Sequence, residues 1–129
     1  ALVEQYDGFS PRNLPGEHVN GSLTVGENIG DLGGLTIAHA AYLKSLAGKP
    51  SPVIDGFTGD QRFFIGWAQV WRRKYRDENL LNRLSTDPHS PSECRCNGVV
   101  INVPAFGTAF EVKPEDQLFR TPEQRIKIW

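Results

Sequence analysis

Between Thr24 and Leu46 the apolar residues Val25, Ile29, Leu32, Leu35, Ala38, Ala41 and Tyr42 recur every three or four positions, the period of one face of an α-helix. This is the longest helical pattern in the chain, so any fold has to be arranged around it. Gly30, Gly33 and Gly34 interrupt the pattern. Each costs about 1 kcal/mol relative to alanine in a helix interior, a cost tolerated where another backbone or a ligand comes close. The same stretch carries Glu27 and Asp31, four residues apart and therefore on one face. Two stacked carboxylates destabilise a helix unless something cationic neutralises them. A divalent metal with histidine ligands would do so, with Glu27 on the metal and Asp31 accepting the ring N–H of a ligating histidine. When only the spacing is considered, a solvated acidic face is the commoner origin of such a pair, although the interrupting glycines count against it.

The rest of the chain reads as shorter helices between substantial loops. Ala1 to Tyr6 has a helical look, and Ser10 to Gly26, with Pro11, Pro15 and Gly16, reads as an irregular connection. The long helix is predicted from about Thr24–Gly26 to Leu46. After the Gly48–Asp60 loop, with Thr58 or Asp60 as cap, a second helix is predicted over Gly59–Tyr75, with Phe63, Phe64 and Trp67 as a core stripe. Arg72-Arg73-Lys74 would then occupy its last turn, where cations complement the carbonyl end. Asp77 opens a short third helix with Leu80, Leu81 and Leu84. Ser92–Val100 and Val103–Phe110, the latter starting at Pro104, are further short helices, while the tail after Val112 shows no clear element. The expected fold is mainly α, one domain over residues 1–129, with little strand.

Charge and cysteine content narrow the functional classes. Fourteen basic residues balance fifteen acidic ones, for a net charge of −1, which removes the main electrostatic argument for nucleic acid or an anionic membrane as partner. No apolar run approaches the roughly 20 residues of a membrane span. Cys94 and Cys96 lie one residue apart, too close for an unstrained disulfide in regular backbone and not the two-residue gap of a zinc knuckle or redox motif. They read as two partly buried thiols.

The run Gly26-Glu27-Asn28-Ile29-Gly30-Asp31-Leu32-Gly33-Gly34 resembles the GENIxDxGG signature of the neprilysin-type zinc endopeptidases, peptidase family M13. Val19-Asn20-Gly21, Phe63-Phe64, Ala68-Gln69-Val70-Trp71, Thr86-Asp87 with His89-Ser90-Pro91, and Trp129 resemble the same family in the same order. The resemblance implies the helical C-terminal part of a gluzincin, thermolysin-like catalytic domain that uses Zn2+. It implies that Glu27 is the third protein ligand of the zinc, beside two histidines of an HExxH helix, and that Asp31 orients one of those histidines. It implies that His89 donates to the oxyanion of the tetrahedral intermediate, with Asp87 orienting its ring. Arg95 would bind a substrate carbonyl, and Val70 and Trp71 would line the pocket for an apolar side chain just after the scissile bond. His18 and His39 have no such context and read as satisfied structural residues.

No HExxH occurs among the 129 residues. With no methionine and an uncapped apolar opening, the chain reads as a segment whose HExxH partner lies upstream, inactive by itself and exposing apolar faces prone to self-association. The implied partners are peptide substrates and that upstream part, with no nucleic acid and no membrane contact in this segment. The resemblance favours an exported or membrane-anchored parent over a cytoplasmic one. Two other readings stand beside this one: a non-catalytic helical binding module derived from such a peptidase, and a nucleic-acid binder using Arg72-Arg73-Lys74.

Overall fold

The long helix starts at Gly21, three residues earlier than its apolar period suggests, because its first N–H groups find acceptors. The computed structural model, which describes residues 1–129, has α1 at Leu2–Asp7 and α2 at Gly21–Ser45. The Asn20 side chain accepts from the Leu23 N–H at 2.9 Å, and the Asp7 carboxylate, at the end of α1, accepts from the Gly21 N–H at 2.7 Å. Both satisfy donors that a helix N-terminus otherwise leaves open. The first helix is thereby tied to the start of the second.

The remaining elements are α3 at Gly59–Val70, α4 at Asp77–Thr86, α5 at Ser92–Val100 and α6 at Pro104–Ala109, followed by a single 3-10 turn at Pro122–Gln124. The only β pairing is an isolated bridge between Ile54 and Phe57, so the fold is mainly α as predicted. The core forms where α1, α2, α3 and α5 meet, around Tyr6, Leu32, Leu35, Phe64 and Val99. Phe63 and Trp67 pack against it, and a capping box between Thr58 and Gln61 begins α3.

Three expectations are corrected. The buried stripe of α2 is Gly21, Thr24, Asn28, Leu32, Leu35 and His39, whereas Ile29, Ala38 and Ala41 are exposed. Polar residues hold this stripe because each finds a partner inside: Asn28 donates to Thr24 Oγ1 at 2.9 Å, and His39 Nε2 meets Asp60 Oδ1 at 3.0 Å. Secondly, α3 ends at Val70 rather than Tyr75. Its N–H donors at Trp71 and Arg72 turn to the carbonyls of Ala68 and Gln69, three residues back, and these tight bonds close the helix. Arg72-Arg73-Lys74 therefore lies in the loop that follows, not in a last helical turn. Thirdly, the interior glycines of α2 do not share one purpose. A Cβ on Gly33 would lie 2.7 Å from the Trp129 ring, whereas Gly30 and Gly34 face open space within the chain.

The tail without a clear element is nevertheless anchored. The Ile126 N–H donates to Asn102 Oδ1 at 2.9 Å, and Ile126 and Ile128 pack on the core. Both thiols are free, Cys94 buried and Cys96 half-buried. Burial pushes Cys94 up to about 12 and Cys96 up to about 11, so neither is a thiolate at neutral pH.

Candidate functional site

Glu27 and Asp31 sit one turn apart on α2, His89 on the loop between α4 and α5, and Arg95 in the first turn of α5. These three elements bring them into one cluster. Arg95 grips Asp31 with two bonds, Nε to Oδ2 at 2.5 Å and Nη2 to Oδ1 at 2.7 Å, the bidentate geometry that a guanidinium fork favours. Its Nη2 also lies 3.5 Å from Glu27 Oε2. Burial pulls the Arg95 pKa down, but the hydrogen bonds and charge of Asp31, then the charge of Glu27, raise it overall. Asp31 and Arg95 are 11 % and 15 % exposed while Glu27 remains 45 % exposed. The inner carboxylate is thus tightly braced by arginine, and the outer one is more loosely held and more open to solvent.

His89 is oriented by its own loop. Asp87 Oδ1 accepts both the His89 backbone N–H at 2.9 Å and its Nδ1 at 2.7 Å. That leaves Nε2 facing Glu27 Oε2 at 3.2 Å. Asp87 is held in turn by Arg83 at 2.6 Å. Burial pushes the Asp87 carboxyl up, but its hydrogen bonds from His89 and the nearby Arg83 and His89 charges outweigh this and hold it below the ordinary carboxylate value. The next residue, Ser90, is buried and donates to Asn28 Oδ1 at 2.9 Å. Since Asn28 directly follows Glu27, the Thr24–Asn28–Ser90 chain sets the His89 loop at a defined height along α2. Asn28 and Ser90 both lie inside the motifs that carry the family resemblance, yet nothing in their residue types marks them as partners across 62 residues.

Trp71 joins this cluster and Val70 does not. The Arg95 guanidinium lies over the Trp71 ring, 4.4 Å from its centroid, and Trp67 packs on the other aromatic edge at 5.2 Å. Val70, at the end of α3, is 65 % exposed. His18 lies exposed on the Asp7 carbonyl and His39 stacks on Phe64 at 5.5 Å between ring centres; neither contacts the cluster around Glu27.

A metal centre needs more donors than this cluster supplies. No group of three His, Cys, Asp or Glu side chains in the chain is placed to hold a metal ion. Of the two carboxylates on α2, Glu27 is the more exposed and meets Arg95 only at 3.5 Å through one oxygen. The residues therefore fit one ligand's share of a zinc site and not the whole of it.

The model of peptidase family M13 matches residues 1–126. Human neprilysin is 38 % identical over 99 % of the chain, and guinea-pig (Cavia porcellus) endothelin-converting enzyme 1 is 39 % identical over the same share. The chain spans 17 % of the length of each of these relatives. Among solved structures, the zinc metalloprotease ZMP1 of Mycobacterium tuberculosis, in complex with an inhibitor, superposes with a TM-score of 0.97 at 58 % identity. That match covers 99 % of this chain and 20 % of the ZMP1 chain.

Proposed function

Because the chain belongs to peptidase family M13, we propose that it supplies the C-terminal part of the catalytic domain of a zinc endopeptidase acting on short peptides. The observation that carries this reading is the convergence of His89 and Arg95, from two other elements, within 3.5 Å of the Glu27 Oε2 oxygen on α2. Glu27 offers the third zinc ligand, the two histidines coming from a part of the protein outside these 129 residues. When bound, zinc supplies Lewis acidity and a water of lowered pKa.

The chain's own residues then have distinct tasks. His89, steadied through Nδ1 by Asp87, presents Nε2 as a donor toward negative charge developing on a scissile carbonyl oxygen. Arg95, fixed by Asp31 on one side and Trp71 beneath, holds a substrate carbonyl with its remaining N–H groups. Asp31, besides bracing Arg95, accepts the ring N–H of one of the ligating histidines. Trp71, with Val70 at its margin, lines the pocket for an apolar residue, which places cleavage on the amino side of such residues. Without the HExxH helix the chain is inactive. The parent acts outside the cytoplasm, in keeping with the family resemblance.

The test is zinc content and peptide hydrolysis of the peptidase that contains this chain, with Glu27→Ala beside the wild type. Loss of both metal and activity is the expected outcome. Full zinc content in the variant would remove Glu27 from the ligand set and the reading with it.

A further inference from the structure

His89 and Arg95 form one wall of a recess of about 280 Å³ whose other lining includes Trp71, Arg73, Tyr75 and Arg83. Three arginines and a histidine surround it, and no Asp or Glu is among its lining residues. Most of that positive charge is already committed. Arg95 is held by Asp31, Arg83 by Asp87, and His89 stands between Asp87 and Glu27. Arg83 also lies over the Tyr75 ring at 5.5 Å from its centroid. Arg73 differs: its side chain is exposed and makes no ion pair or hydrogen bond.

The position of Arg73 follows from the early end of α3. Had the helix run on to Tyr75, Arg73 would continue its surface. Instead the chain turns at Trp71, and Tyr75 is fastened to the start of α5 by a bond between its hydroxyl and Ser92 Oγ at 2.7 Å. The loop between these two fixed points carries Arg73 to the recess. Arg72, Lys74 and Arg76 flank it and make no ion pairs either; Asp77 and Glu93 lie on the adjoining recess that Arg73 and Lys74 also border, so cations outnumber carboxylates along this rim and none of them is bound to one.

We propose that Arg73 is a specificity-determining residue, taking a carboxylate of the bound peptide, either an acidic side chain or the C-terminal carboxylate. This rests on the reading of the chain as part of a peptidase and adds a substrate class to it: peptides that place an anionic group beside an apolar residue near the scissile bond. A guanidinium fork matches a carboxylate bidentately, and unlike its neighbours Arg73 need give up no partner to do so.

The experiment uses the complete peptidase and matched peptides that differ only in Glu or Gln at each position next to the scissile bond, or in a free or amidated C-terminus. The quantity read is the ratio of kcat/KM for the acidic and neutral members. The wild type should favour the acidic member of one series by about tenfold. Arg73→Gln should bring that ratio close to one, Arg73→Lys should keep part of it, and raised salt should shrink it in the wild type. Which series responds tells a side chain from a C-terminus. A wild-type ratio near one in every series, or a preference unchanged in Arg73→Gln, overturns the proposal. If no peptide is cleaved the peptidase reading fails, and equilibrium binding of the same peptides decides on Arg73. Tighter binding of an acidic peptide that is lost in Arg73→Gln supports the assignment, and equal binding refutes it.

Discussion

Asp87 works for three partners at once, accepting from the His89 backbone and ring and pairing with Arg83. Its carboxyl is held below the ordinary value, so its stabilising effect is in place above the usual carboxylate range, near pH 4, and is lost as pH falls through the lower native value. The difference in urea-unfolding midpoint between the wild type and Asp87→Asn should therefore be widest at neutral pH and close below about pH 4. A difference that persists to low pH would mean that charge on Asp87 contributes nothing. Arg95 and Asp31 make a second test at this scale. Arg95→Ala leaves a mostly buried carboxylate without its partner, at a cost of about 2–3 kcal/mol, and weakens substrate binding. Adding Asp31→Ala should restore part of the stability but not the activity, a non-additivity that a double-mutant cycle measures. Purely additive losses would dissolve the pair.

At the scale of elements, α5 reaches α1 across Gly98. A Cβ there would lie 2.8 Å from both the Tyr6 hydroxyl and the Phe9 ring, in a place where Tyr6 is fully enclosed. Gly98→Ala should cost about 1–3 kcal/mol through overpacking, despite alanine's better helix propensity. Thermal unfolding checks this, and a neutral or raised midpoint would show that α1 and α5 can separate without penalty. The same helix carries Arg95 in its first turn, so a displacement of α5 would move the guanidinium off Trp71 as well. Helix packing and site geometry are coupled here through one small residue. Its importance was hidden in the sequence, where Gly98 sits in a short helix with no partner in view.

For the molecule as a whole, α2 and the loop behind it leave apolar side chains in solvent: Ile37 56 % exposed, Leu43 47 %, Val53 65 % and Ile54 49 %. Such surface favours association. The chain by itself should sediment as a concentration-dependent mixture of monomer and larger species. Ile37→Glu with Leu43→Lys should shift it toward monomer. A single monomeric species across the micromolar range would show that this surface is not sticky enough to matter.

Much was determined by local patterns that the chain carries regardless of packing. The period of α2, the Thr58 cap of α3, Pro104 at the start of α6, and the residue types at Glu27, Asp31, His89 and Arg95 are all legible in order along the sequence. Apolar periodicity placed Leu32 and Leu35 of α2 correctly inside but also counted the exposed Ile29, Ala38 and Ala41 and passed over Thr24, Asn28 and His39, because it cannot count polar residues that meet partners inside the fold. Asn28 is buried only because Ser90 comes from 62 residues away, and His39 because Asp60 and Phe64 cover it. The pairing of Arg95 with Asp31, 64 residues apart, and the turn at Trp71 that carries Arg73 to the recess are likewise products of the assembled fold. Local propensity acts over a few residues, whereas hydrogen bonds and close contacts between separate helices exist only once the chain has brought them together.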